Sequence, residues 1–160
     1  MSNNSSPGLS PQDMNELENL YKSSEFNTLE NKVEELLKKH SKNVNLHNIL
    51  GVSLQAQGKL KESLKIFEKI IKLQPNFYLA HYNMGNVLKQ SLDLKGAKTC
   101  YEKCINFSPT FIDAHISLGL ILLDLNKLDE SANVFKMALK LKPEDGNLHR
   151  HLSSVTKYSE

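Results

Sequence analysis

Shifted along itself by 34 residues, the chain falls back into register. Gly51, Gly85 and Gly119 form one such column, and Pro75, Pro109 and Pro143 a second. Phe67, Tyr101 and Phe135 form a third, and Leu60, Leu94 and Leu128 a fourth. His47, His81, His115 and His149 run through four copies. A fixed period of this size marks a stacked array, in which each unit buries its apolar face only against a neighbour. That restricts the chain to repeat architectures before any single element is assigned. The unit is complete in residues 81–109, HYNMGNVLKQSLDLKGAKTCYEKCINFSP.

Apolar residues spaced i, i+3, i+4 make the copies helical. Residues 44–77, 78–111 and 112–145 read as three clean copies. The pattern predicts first helices over about 45–57, 79–91 and 113–125, and second helices over about 60–73, 94–107 and 128–141. Of the connections, Gly58-Lys59 and Asn126-Lys127 carry a residue suited to a helix end, and Leu92-Asp93 does not. The closing proline stops each second helix, because it donates no hydrogen bond and its predecessor avoids helical geometry.

Residues 1–9 are polar, with Pro7 and Gly8, and read as a disordered tail. Ser10 as cap, Pro11 at the first helical position and Asp13 in the first turn then open a helix. Its apolar face is Met14, Leu17, Leu20 and Tyr21. A second helix from about Phe26 to His40 presents Leu29, Val33, Leu36 and Leu37. This pair fits the frame in length but not in content: Leu17 stands in the glycine column and Ser41 in the proline column. Residues 10–43 are therefore expected to be a divergent first repeat, since a terminal unit turns one face to solvent. Residues 146–160 are expected to hold a C-terminal capping helix, from Asn147 to about Tyr158.

Composition narrows the function classes. A net charge of +2 gives no case for nucleic acid or an anionic membrane as partner. No apolar run approaches the roughly 18 residues of a spanning helix. The start, MSNNSSPGL, lacks the basic and apolar parts of a secretory signal. The two cysteines, Cys100 and Cys104, make no disulfide framework, so a cytoplasmic setting is expected.

The columns resemble the tetratricopeptide repeat: Leu50-Gly51, Leu54, Ser63, Phe67 and Pro75, then Met84-Gly85, Leu88, Ala97, Tyr101 and Pro109, then Leu118-Gly119, Leu122, Ser131, Phe135 and Pro143. The large aromatic usual early in the first helix is replaced by His47, His81 or His115. The resemblance implies an all-α fold, a right-handed α-solenoid of helix-turn-helix repeats, with first helices lining a concave surface. AHYNMGNVLKQ and IDAHISLGL are similar to the repeats that precede the catalytic part of O-linked N-acetylglucosamine transferases. LHNILGVSLQAQGK is similar to the opening of bacterial proteins with a glycosyltransferase or sulfotransferase domain behind their repeats. The asparagine ladder of the transferase arrays is matched only by Asn83; the equivalent positions are Ile49, Ser117 and His151.

Matched to the family, the groove positions are Asn45, Asn48 and Gln55 in the second repeat and Tyr82, Asn83, Asn86, Lys89 and Gln90 in the third. The fourth adds Asp113, Ile116, Ser117, Leu120, Leu123 and Asp124, and the last helix Asn147, Arg150 and His151. The stretch ISLGLILLDL is hydrophobic nearly all round and should be covered on both sides. Either the last helix covers it, or Ile116, Leu120 and Leu123 form an apolar patch for a partner segment, a further repeat or a second copy. The glycine marks the crossing of the two helices of a repeat, with Ser63, Ala97 and Ser131 as small partners and the aromatics filling space toward the next repeat.

Equivalent histidines on neighbouring helices should lie about 8–10 Å apart, too far for one zinc at about 2 Å from each nitrogen. Their expected role is packing between repeats, and that of Cys104 a small core position. No metal, cofactor or catalytic set is expected. A version of the family that grips chaperone carboxylates needs basic residues where Asn45, Asn48 and Asp113 stand. The expected function is a non-catalytic scaffold binding a peptide or protein segment on its concave face. The alternative is the substrate-recognition arm of a glycosyltransferase or sulfotransferase.

Overall fold

The computed structural model describes residues 9–157, so the positions before Leu9 in the stretch read as a tail lie outside the described residues, as does Tyr158. The described residues form nine α-helices and no strand. The chain divides into two compact units, residues 1–75 and 76–160.

The first unit contains α1 (Pro11–Lys22), α2 (Phe26–Lys39), α3 (Val44–Ala56) and α4 (Leu60–Leu73). Ser10 caps α1: its Oγ accepts from the Asp13 amide at 3.0 Å and donates to the Asp13 carboxylate at 2.6 Å. Asn43 caps α3 by accepting from the Asn45 and Leu46 amides. Leu17, Leu29, Val33, Leu36, Leu46, Leu50 and Leu54 form one core, with Leu9 packed on it. Glu30 on α2 ties the unit across to the end of α3, accepting from Gln57 Nε2 at 2.7 Å and pairing with Lys59 at 2.8 Å.

The second unit contains α5 (Tyr78–Gln90), α6 (Leu94–Phe107), α7 (Ile112–Asp124), α8 (Leu128–Leu141) and α9 (Gly146–Thr156). One core joins Ala97, Tyr101, Leu118, Ile121 and Leu122, and another joins Ala132, Phe135 and Ala138 to Leu148 and Val155 of α9. Asp145 caps α9 through the Asn147 and Leu148 amides.

The glycine column is explained by ring contact. A Cβ on Gly51 would sit 2.7 Å from Phe67, on Gly85 2.7 Å from Tyr101, and on Gly119 2.5 Å from Phe135. Each aromatic ring thus lies directly on the bare Cα of the first helix of its own repeat, a contact the sequence reading assigned only to the space between repeats. The small column adds a hydrogen bond: Ser63 Oγ donates to the Gly51 carbonyl at 2.7 Å, and Ser131 Oγ to the Gly119 carbonyl at 2.8 Å. In the first pair the same space is filled in reverse. Leu17, 2 % exposed, occupies the glycine position, and the smaller Val33 and the larger Leu29 occupy the aromatic and small positions.

The turns repeat as well. Ser24, Gly58, Leu92 and Asn126, again 34 apart, all have positive φ, from 56° to 75°. Behind each, an amide bonds back five residues: Glu25 to Leu20, Lys59 to Leu54, Asp93 to Leu88 and Lys127 to Leu122. This is the closure expected of a left-handed helix terminus. Leu92 pays for this conformation with a side chain that is 83 % exposed and packs on nothing.

The histidine and proline columns are partners. His115 Nε2 donates to the Pro109 carbonyl at 2.8 Å, and His149 Nε2 to the Pro143 carbonyl at 2.7 Å. His47 Nε2 donates to the carbonyl of Ser41, the residue in the proline column of the first pair, at 2.9 Å. A carbonyl only accepts, so these rings carry their proton on Nε2. His81 is buried in the same column and stacks on Phe107 with ring centroids 5.3 Å apart. Beyond the packing expected of them, the bonded rings pin the start of a first helix to the carbonyl six residues earlier. Nδ1 of His47 and of His115 is buried without a hydrogen-bond partner.

Three predictions follow from these contacts. Gly85→Ala should cost about 1–3 kcal/mol by overpacking against a fully buried ring, read from the urea midpoint. Leu92→Gly should stabilise by about 1 kcal/mol, the cost of holding a branched residue in the left-handed region. The third concerns acid. Burial above all pushes His47 below its ordinary value of 6.5, helped by Lys69 and opposed by the bond to Ser41; Glu34 and Lys38 are the other charged groups lining the same hollow. A histidine with a folded pKa below its unfolded one stabilises fully above the unfolded value and loses that contribution as pH falls through the folded one. Wild type should therefore lose stability relative to His47→Phe as pH is lowered below about 6.5, measured by denaturation at each pH.

Candidate functional site

In the first unit, α1 and α3 enclose an open hollow of about 390 Å³. Its lining is Met14, Leu17, Glu18, Tyr21, Asn48, Ile49 and Val52. Met14 and Tyr21, placed by periodicity on the buried face of α1, are 48 % and 49 % exposed here. The reason lies in the reversed packing: Leu17 fills the core and Leu20 packs against it, while Met14 and Tyr21 are left on the wall. Asn48 lines the hollow as a half-buried amide, whereas Gln55, two turns on, is not part of the wall. Glu18, the only charged wall residue, pairs with Lys22 at 2.6 Å, which holds its carboxyl below the ordinary range.

In the second unit the residues expected in a groove separate into two groups. Tyr82 belongs to an aromatic cluster, perpendicular to Phe111 at 5.0 Å and 5.8 Å from Tyr101, with Tyr78 edge-on to Phe111 at 5.2 Å. The fully buried Tyr101 donates its hydroxyl proton to Asn86 Oδ1 at 2.8 Å. Burial pushes the Tyr101 phenol well above its usual range, so it remains a donor at any physiological pH. Asn83 is half-buried beside this cluster in sequence, and Lys89 and Gln90 are exposed at the end of α5. The sequence reading missed Tyr101 as a polar group, although it is the one hydroxyl in a column otherwise of phenylalanine.

Ile116, Leu120 and Leu123 go elsewhere. All three are partly buried and pack against the core that includes Leu148 and Val155 of α9. The rest of the apolar surface of α7, Leu118, Ile121 and Leu122, packs with Ala97 and Tyr101 of α6.

Other candidates for chemistry are silenced by burial. Cys100 and Cys104 are buried free thiols, and desolvation raises both, Cys104 to about 12. A thiol so shifted stays protonated and unreactive. Among the described residues, no three His, Cys, Asp or Glu side chains are grouped to hold a metal, and no helix is long and apolar enough to cross a membrane.

Comparison with known proteins agrees with this architecture. No curated protein matches the chain. Among solved structures, MamA 41-end from Desulfovibrio magneticus RS-1 is similar at 22% identity and a TM-score of 0.79, covering 92% of this chain and 84% of its own. A crystal structure of MamA gives 15% identity and a TM-score of 0.80, with 96% and 86% covered. The first tetratricopeptide domain of Spaghetti (RPAP3), bound to HSP90 peptide SRMEEVD, gives 17% identity and a TM-score of 0.69, with 74% and 94% covered. At these identities the likeness is one of fold. The model of the tetratricopeptide repeat matches residues 44–77, 78–111 and 112–145, in the same frame as the glycine, aromatic and histidine columns, and the chain belongs to the tetratricopeptide repeat family.

Proposed function

We propose that this chain is a non-catalytic interaction module that holds a peptide or protein segment along its first helices. The observation that carries this reading is the hollow between α1 and α3, where two large side chains, Met14 and Tyr21, stand half-exposed around an amide, Asn48. A concave wall of apolar side chains with one or two polar groups is the usual make-up of a binding site. In the second unit the proposed contacts are Tyr82, Asn83, Asn86, Lys89 and Gln90, with Gln55 as an outlying contact of the first. Residues 10–43 act in this reading as a divergent first repeat that supplies half of the hollow. The structural relative bound to an HSP90 peptide supports a peptide as the ligand. Its acidic sequence does not suit this chain, where the exposed Asp113 stands at a position in which the family's carboxylate binders need a cation. Nothing in the structure favours the alternative, a recognition arm of a glycosyltransferase or sulfotransferase.

The test uses peptides selected from a displayed random library against the full chain. Met14→Glu, at an exposed wall position, and the triple change Asn83→Ala, Asn86→Ala and Lys89→Ala should each weaken binding at least about tenfold, the effect of losing about 1.4 kcal/mol of contact. The melting temperature should stay near that of wild type. Unchanged affinity in both variants, or a library that yields no binder, would overturn the proposal.

A further inference from the structure

The repeat itself supplies an internal control for one side-chain pair. Val52, Asn86 and Leu120 form a column, each directly after the repeat glycine, and Phe67, Tyr101 and Phe135 form the aromatic column. Two copies thus combine phenylalanine with an aliphatic residue. The third combines tyrosine with asparagine, and those two groups are hydrogen-bonded at 2.8 Å. The pair is apolar in two of these copies and polar in the third.

The direction of the bond has a consequence. The phenol donates, so Asn86 offers it Oδ1, and the amide plane is fixed. The Nδ2 hydrogens of the half-buried Asn86 are then left for an acceptor from outside the pair. We propose that Tyr101 is a positioning residue, which locks Asn86 as a hydrogen-bond donor so that this repeat takes a backbone carbonyl oxygen of the bound segment. This deepens the functional reading above and rests on it. Fixing the rotamer before binding removes an ordering cost that the ligand would otherwise meet.

Tyr101→Phe tests the idea cleanly, because phenylalanine fills the same site in the sibling repeats. In the full-length ¹⁵N-labelled protein, Asn86 of wild type should show one side-chain conformer, and Tyr101→Phe should show averaging between conformers. Against peptides selected on wild type, Tyr101→Phe should bind about tenfold more weakly, the effect of one hydrogen bond. The double variant Tyr101→Phe with Asn86→Leu, which rebuilds the pair of the last repeat, should melt no lower than wild type and still bind as weakly as Asn86→Leu alone. An Asn86 amide as ordered in Tyr101→Phe as in wild type, or undiminished affinity, overturns the positioning role. If no peptide is selected, the functional reading fails, and the amide spectrum alone decides whether Tyr101 orders Asn86.

Discussion

Most of this fold depends on an aromatic ring lying on the bare Cα of a helix. At Gly51, Gly85 and Gly119 any Cβ would come within 2.7 Å of the ring beneath it, closer than two carbons approach. The two helices of a repeat can therefore meet at backbone distance, which brings the serine hydroxyls of two copies within reach of the glycine carbonyls. The first pair shows that the requirement is for filled volume and not for glycine. With Leu17 on one side and Val33 on the other, the same space closes without a ring. What it gives up is close approach, and with it the ability to bury all of its apolar face.

The histidine and proline columns show how a repeat can encode a bond as well as a shape. Proline ends a second helix, and its carbonyl accepts from the histidine six residues on. Neither column explains itself alone. A packing role for the histidines accounts for burial but not for why the side chain is an imidazole. In the three bonded copies the imidazole–carbonyl bond accounts for both, and for the tautomer. It also leaves Nδ1 of His47 and His115 without a partner in a buried setting, the feature that makes protonation costly there.

The fold was legible because each column of the sequence corresponds to one contact that must recur: ring on glycine, left-handed turn, imidazole on carbonyl. Helix positions followed from the same frame to within a residue or two. Leu92 shows the limit of residue type as a guide, since the closure of the turn imposes positive φ on a leucine that no propensity would place there. The candidate site was less legible, for a related reason. Wall residues need not recur, so periodicity says nothing of them, and it misplaced Met14 and Tyr21 by treating the first helix as if it packed like the others. The partial burial of Ile116, Leu120 and Leu123 against the last core depends on neighbouring helices that composition cannot rank.

In an array of this kind, use must be sought where copies differ, because the shared positions are already spent on packing. A difference that serves only packing can be made one residue at a time: a methyl lost here, a ring exchanged there. A buried hydroxyl is another matter, since without a partner it costs about 1–3 kcal/mol. Tyr101 could enter an apolar column only together with an acceptor, and Asn86 is that acceptor. The bond offsets the cost of burying the hydroxyl. The pair presents an amide of fixed orientation, partly open to solvent, in a repeat whose two clean siblings present only aliphatic carbon at that point.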